Sequence, residues 1–434
     1  MKTFRAAAII LEAAMVLSLT AGCSSPSGAS ADGPIYIKNK DTSTKVINFF
    51  INQSNQVTLD IMNEAARKFE SDTGIKVTFS NYVQDTNQGT KSYDEVARER
   101  IESNEPDDVY ILNAGVLQDE VEKGNIEPLS YLEGMDSLTE EALNGSKIKG
   151  VQYCLPMFMS AYSFFANTEI LKENGLSVPT DLSEFENCCS KLKAAGITPF
   201  EGDKWWMEEL VLAGGMSDLY FDNGSVDDLN SGKTAISTYM GKGFKLVEEL
   251  DQQGYMDLKG AYDVAPGDEV KDLIAGKCAF AVSMAAIINE EYALNSRDRY
   301  VVTGVPVRED GSVVLLNPDL RICVCSKGAN TEAAKKFVTY LTSKEVTDKF
   351  LTLEGRYSIR KDSDVKAAEV MKGADDCVKN GRTMPCQNYE INVEQWENVC
   401  KTLWKMMQEG MTAEEAAAEM DGLQKTANEK QVIE

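Results

Sequence analysis

No histidine occurs anywhere in the 434 residues. Ser-His-Asp and Cys-His catalysis and His-ligated zinc are thereby excluded together, since each needs an imidazole as base or ligand. Positive charge is also scarce, with 44 Lys and Arg against 69 Asp and Glu and a formal net charge of −25. Nucleic-acid backbones are held by clustered Lys and Arg, and no basic run interrupts this acidic chain, so nucleic acid is not an expected partner. Ten cysteines are present, but Cys188 and Cys189 are adjacent and Cys323 and Cys325 alternate on one probable strand. Neither spacing is that of a zinc or redox motif. With Cys23 set aside nine remain, an odd number, so mostly free and buried thiols are expected, with a Cys377–Cys386 or Cys386–Cys400 bridge left open. Residues 222–232 lack the register of a calcium loop and read as a solvated turn. No repeat of solenoid length is visible. No cofactor, metal or catalytic residue is expected.

Long apolar runs are nearly absent. The one at 6–20 follows Lys2 and Arg5, is interrupted by Glu12, and is short for a membrane span. With Ala21-Gly22-Cys23 after it, this segment reads as a signal peptide over 1–22. Its end resembles the signals of bacterial lipoproteins, which implies a lipid on Cys23, and the Ser/Gly/Pro-rich stretch over 23–45 then serves as a flexible tether.

The remainder exceeds one ordinary core, so two domains are expected. Residues 45–51 form an apolar strand, and a polar loop holding Asn52, Gln53 and Asn55 follows. A helix over about 57–71 then carries Leu59, Met62, Ala66 and Phe69 on one face and stops at Gly74, before a strand over 75–79. This is a βαβ unit, and ligands of such units gather at the carboxyl ends of the strands. A buried strand over 109–112 puts Asn113 at another such end, where it is either a turn residue or a ligand contact. Residues 151–156 and 162–167 read as two strands bracketing a loop.

Trp205 and Trp206 stand in a Gly-flanked, charged setting that is odd for a core. An aromatic plane covers the C–H face of a sugar ring while neighbouring polar groups bond its hydroxyls, so at least one of the pair is a candidate sugar contact, with core or interdomain packing as the alternative. Trp396 lies at helical spacing with Val399 and Leu403, which suits core packing as well as a cleft.

One ordered pattern is more specific than these. An apolar strand leads into Asn167-Thr168-Glu169-Ile170-Leu171, then Asn174-Gly175, Pro179, a helix holding Lys191-Leu192, and Gly196-Ile197-Thr198-Pro199. It resembles the extracellular solute-binding proteins of ABC importers (family 1), in the carbohydrate-binding branch that includes maltose-binding protein. Stretches at 69–77, 126–129, 275–282 and 332–341 extend the likeness from residue 45 to the C-terminus. Departures are Ala166, where relatives usually carry Tyr, Ser160 at the place of a sugar-bonding carboxylate, and Ala286 where a stacking Trp is usual.

The resemblance implies an α/β, periplasmic-binding-protein-like type II fold with two discontinuous lobes and a ligand cleft between them. The lobes would be 46–158 plus 308–358 and 159–307 plus 359–434. It implies ligand contacts from Asn52, Gln53, Asn55 and Asn113 in the first lobe and from Met159, Ser160, Tyr162, Trp205, Trp206 and Trp396 in the second. The implied partners are a carbohydrate, the transmembrane subunits of an ABC permease, and the membrane through a lipid anchor, with the protein a monomer on the extracellular face. The alternatives are a secreted glycoside hydrolase, which needs two carboxylates about 5 to 10 Å apart, and a binding protein feeding a sensor kinase.

Overall fold

The computed structural model describes residues 45–83 and 91–433. The expected signal peptide over 1–22, Cys23 and nearly all of the expected tether lie outside the described residues. The first elements follow from local chemistry. Strand Val46–Ile51 is almost wholly buried, and helix Gln56–Thr73 begins where the Asn55 side chain accepts from the Thr58 amide. Gly74, at φ 71°, ends that helix by donating its amide to Glu70.

Strand Lys76–Asn81 then pairs in parallel with Val46–Ile51. The five-stranded sheet runs Lys76–Asn81, Val46–Ile51, Val109–Ile111, Ile322–Val324, Cys154–Leu155. Phe49, Phe69 and Phe337 fill the layer between one face and helices Gln56–Thr73 and Thr331–Leu341. Phe50, Tyr93 and Leu117 fill the other, under helices Tyr93–Ile101 and Ala114–Glu122.

The second sheet is organised on Phe158–Asn167, ten residues that are all buried. A loop was expected within this stretch, and none forms. Strands Val314–Asp319 and Cys278–Met284 pair antiparallel with it at either side, so its backbone groups are satisfied along the length and a loop would forfeit those bonds. Thr198–Glu201, Tyr300–Thr303, Arg356–Tyr357 and Thr383–Pro385 complete the sheet. Helices Glu208–Phe221, Ser237–Gln252 and Trp396–Glu409 cover one face through Phe164, Phe244 and Leu403.

The chain passes between the sheets at Met157, again at Leu320–Arg321, and a third time over 351–355. Met157 donates its amide to Asp319, so the first two passages run side by side. Residues 308–358 were assigned to the first lobe as one block. Strand Val314–Asp319 instead pairs in the second sheet, as does Arg356–Tyr357, and the bridge between Val305 and Val313 marks where the chain turns back into that sheet. At the third passage Gly355 has φ 82°, and a Cβ there would lie 2.5 Å from the Ala285 carbonyl carbon, so only glycine fits.

The expected turn at 222–232 contains a short helix, Val226–Asn230, capped by Ser225. The nine described cysteines are all free and all but Cys377 are buried. Among the described residues no helix is long and apolar enough to cross a membrane.

Candidate functional site

Residues paired across a sheet share a face, and alternate residues point oppositely. Register therefore puts Tyr162, Ser160, Asn317, Arg356 and Asp319 on one face of the second sheet. Met159, expected to share the cleft, points the other way and lines a separate cavity of about 520 Å³ with Leu316 and Met384. A single-residue step in a strand makes the two expectations incompatible. Ser160 is only 2% exposed, and its hydroxyl donates to Asp319 Oδ2 at 2.6 Å, so it orients that carboxylate instead of lining the cavity.

A cavity of about 790 Å³ opens over this face. From the first-lobe side come Asp94 and Asn113, joined by an Asn113 Nδ2 to Asp94 Oδ1 bond of 2.8 Å. Asn113 precedes helix Ala114–Glu122 without capping it through its side chain, which leaves the amide available to Asp94. Burial raises the Asp94 carboxyl, while the bond from Asn113 opposes the rise. The opposite wall is aromatic. The Tyr162 ring lies 5.7 Å from Trp206 and 5.1 Å from Trp396, measured between centroids. Trp205 is 42% exposed at the edge of this wall and meets Trp404 edge-on at 5.0 Å.

Buried acids hold the tryptophan loop. Asp203 Oδ1 accepts from the amides of Trp205 at 2.6 Å and Trp206 at 2.9 Å. Across from it, Glu269 Oε2 accepts from the Gly267 amide at 2.7 Å, beside Pro266 in the cavity wall. Asp203 and Glu269 stand against one another, and each keeps one buried oxygen without a hydrogen-bond partner, an arrangement that favours holding a proton between them. Burial, with the Asp203 charge beside it, pushes the Glu269 carboxyl up to about 8. Glu208 and Glu209 are buried behind them, and burial raises both well above the usual carboxylate range. No group of three or more His, Cys, Asp or Glu among the described residues is arranged to hold a metal ion.

An adjoining cavity of about 350 Å³ shares Trp206 and Pro266 and adds Asn55, Ala286 and Arg356. Gln53 is spent on its own loop, since its amide donates to Asn81 Oδ1 and its Oε1 accepts from the Asn55 amide. Asn52 is exposed and lines neither cavity. Of the sequence candidates, Asn55, Asn113, Tyr162, Trp205, Trp206 and Trp396 meet around the two cavities; Asn52, Gln53, Met159 and Ser160 do not. Sequence reasoning missed Asn317, Arg321, Arg356 and Glu394. For Asp203 a signal existed, an Asp two and three residues before the amides it accepts from. Asn317 and Arg356 reach the site through pairing between distant strands, and Arg321 and Glu394 from connecting segments, none of which leaves a local trace.

Two sheets joined by three passages, with an aromatic-walled cavity on the face of the second, make a two-lobed receptor fold of the periplasmic-binding-protein type. The profile of the bacterial extracellular solute-binding proteins matches residues 64–374, and the chain belongs to that family. A search of curated protein sequences gave no match. Among solved structures, the apo form of RafE from Streptococcus pneumoniae is similar over 90% of this chain and 100% of its own, with a TM-score of 0.70 at 18% identity. RafE in complex with raffinose aligns over 89% of this chain and 100% of its own, with a TM-score of 0.65 at 18% identity. A chitin oligosaccharide binding protein aligns over 89% and 99%, with a TM-score of 0.71 at 17% identity. At these identities the likeness establishes the fold. The family is a binding family and not an enzyme class.

Proposed function

We propose that this protein captures a sugar, an oligosaccharide by the size of the cavity, and delivers it to the transmembrane subunits of an ABC permease. The observation that carries the reading is the aromatic wall of Tyr162, Trp206 and Trp396 facing polar groups, Asn113 and Asp94, from the other lobe. Flat rings cover the apolar faces of pyranoses and the amide and carboxylate groups bond hydroxyls. Raffinose and chitin oligosaccharide, named for two of the structural neighbours, support this ligand class.

Ligand bound to one lobe favours approach of the other, because closure adds contacts that the open form does not make. The lobes of this reading follow the two sheets, the first with residues 46–155 and 322–350 and the second with 158–319 and 356–433. Attachment through lipidated Cys23 would hold the receptor monomer beside its permease, as a leash of about 20 residues allows.

Calorimetry of the purified protein against mono- and oligosaccharides, with product analysis of the same mixtures, tests the reading. Stoichiometric binding without turnover supports the receptor. Release of shortened sugars would make it a glycoside hydrolase, and binding of an amino acid or polyamine in place of sugar would end the carbohydrate reading.

A further inference from the structure

Among the described residues, most arginines withdrawn from solvent are paired with carboxylates. Arg100 makes a two-pronged contact with Asp107 at 2.7 and 2.8 Å, and Arg308 meets Asp218, Asp222 and Asp310. Arg98, Arg297, Arg360 and Arg382 each have an ion pair as well. Among the described residues, two arginines that are not solvent-exposed have none, and both line the candidate site.

Arg321 is 8% exposed and lines the larger cavity. Its Nη2 donates to Asn317 Oδ1 at 2.8 Å, and its buried Nε has no acceptor. Arg356 lines the adjoining cavity, lies 3.9 Å over the Phe158 ring, donates Nη1 to the Phe350 carbonyl, and also has a buried Nε without an acceptor. Asp319 is the carboxylate near both, yet it lies beyond ion-pair distance of either and already accepts from the Ser160 hydroxyl and the Leu320 amide. A buried cation without a counter-charge is costly, and a guanidinium that lines a cavity with no protein carboxylate on it fits a ligand oxyanion.

We propose that the sugar taken by this cleft is acidic, a uronate-containing oligosaccharide whose carboxylate lies against Arg321, with Arg356 supplying a second positive charge to an adjoining unit. The proposal rests on the sugar reading above and narrows it to a substrate class. The remaining charge around the cavity favours a singly charged carboxylate over a phosphate or sulfate ester. Asp94, Glu394 and Glu397 also line it, so each further negative charge on a ligand meets repulsion at the rim. Glu394 spends its two oxygens on the amides of Glu397 and Asn398, and Glu397 lies beside Lys401, which leaves Arg321 as the cationic group without a protein counter-ion in this cavity.

The test is calorimetric titration of the full chain with galacturonate, glucuronate and mannuronate oligosaccharides, each beside its carboxyl methyl ester, with neutral and sulfated oligosaccharides as further arms. The ester keeps the shape and removes the charge. The expected result is binding of an acid at least about 30-fold tighter than its ester, in line with the loss of a buried charge pair. Arg321→Gln abolishes that preference and Arg321→Lys keeps part of it. The acid-to-ester ratio of the unaltered protein decides the matter even if Arg321→Gln fails to fold, and Arg356→Gln is a second variant that lowers the ratio. Equal binding of acid and ester, or binding of neutral sugars alone, overturns the acidic class while leaving the sugar reading in place. Binding of sulfated sugars in preference to uronates overturns the carboxylate assignment. Binding of no sugar at all overturns both.

Discussion

The two walls of the cavity are built on different principles. The first-lobe wall presents polar groups at the carboxyl ends of parallel strands and at helix starts, where Asn55 and Asn113 sit because the βαβ order puts a turn there. The second-lobe wall presents rings held by buried structure: Tyr162 lies on the fully buried central strand, Trp396 packs on the Tyr162 ring, and the Trp206 amide is held by the buried Asp203. A polar wall assembled locally tolerates the loss of one group. A ring wall that depends on buried acids does not.

That contrast is open to attack at several points. The largest expected effect is from Trp206→Ala, which removes the ring shared by both cavities. Sugar affinity should fall by about 30-fold or more, the scale of a central aromatic contact. Unchanged affinity by calorimetry would place the ligand elsewhere. Asp203→Ala comes next, because it releases two amides and leaves Glu269 without its partner. A loss of about 2 to 3 kcal/mol in stability is expected from denaturant titration, with weaker sugar binding alongside. An Asp203→Ala protein that binds as well as the original would separate the rings from their support.

Gly355→Ala tests the passage between the sheets. Its Cβ would meet the Ala285 backbone in a left-handed conformation, so a lowered melting temperature is expected, by several degrees or more.

The pH dependence sharpens the comparison from another side. The Glu269 carboxyl is raised in the folded protein, so its contribution to stability is fully present below its unfolded value and is lost as pH rises through about 8. The groups facing it are Asp203 and Lys204 on the tryptophan loop, Glu208 and Glu209 on the helix behind, Asp268 and Lys271 on its own helix, Cys278 and Ser283 on the adjacent strand, and Tyr292. Thermal melts of Glu269→Gln should lose part of the decline between acidic pH and pH 8, since the amide still donates to Asp203 without a proton to give up. An identical decline in both proteins would assign it to Glu208 and Glu209 instead. The smallest effect belongs to the polar wall. Asn113→Ala removes one bond to Asp94 and should weaken sugar by only about fivefold, while Asn52→Ala should change nothing measurable.

The same contrast explains what could be read from the chain alone. The βαβ order, the helix capped by Asn55 and ended at Gly74, and the strand before Asn113 were legible because each depends on neighbours within a few residues. The tryptophan pair was legible as unusual chemistry in an unusual setting. The central strand was read short, from residue 162, which left Ser160 in an expected loop, although it is buried within a sheet paired on both sides. Met159 was grouped with its neighbours because a one-residue alternation is invisible until the strand is known to be continuous. Neither Arg321 nor Arg356 was singled out from the chain alone, because their lack of counter-charges is a property of the folded chain.

The most direct measurement is a paired calorimetric titration of the protein and its Trp206→Ala variant with the best-binding oligosaccharide, with the mixtures then examined for product. The account predicts one sugar bound per chain, none cleaved, and binding reduced by about 30-fold or more in the variant. Equal binding by the two proteins, or no sugar bound by either, would contradict it.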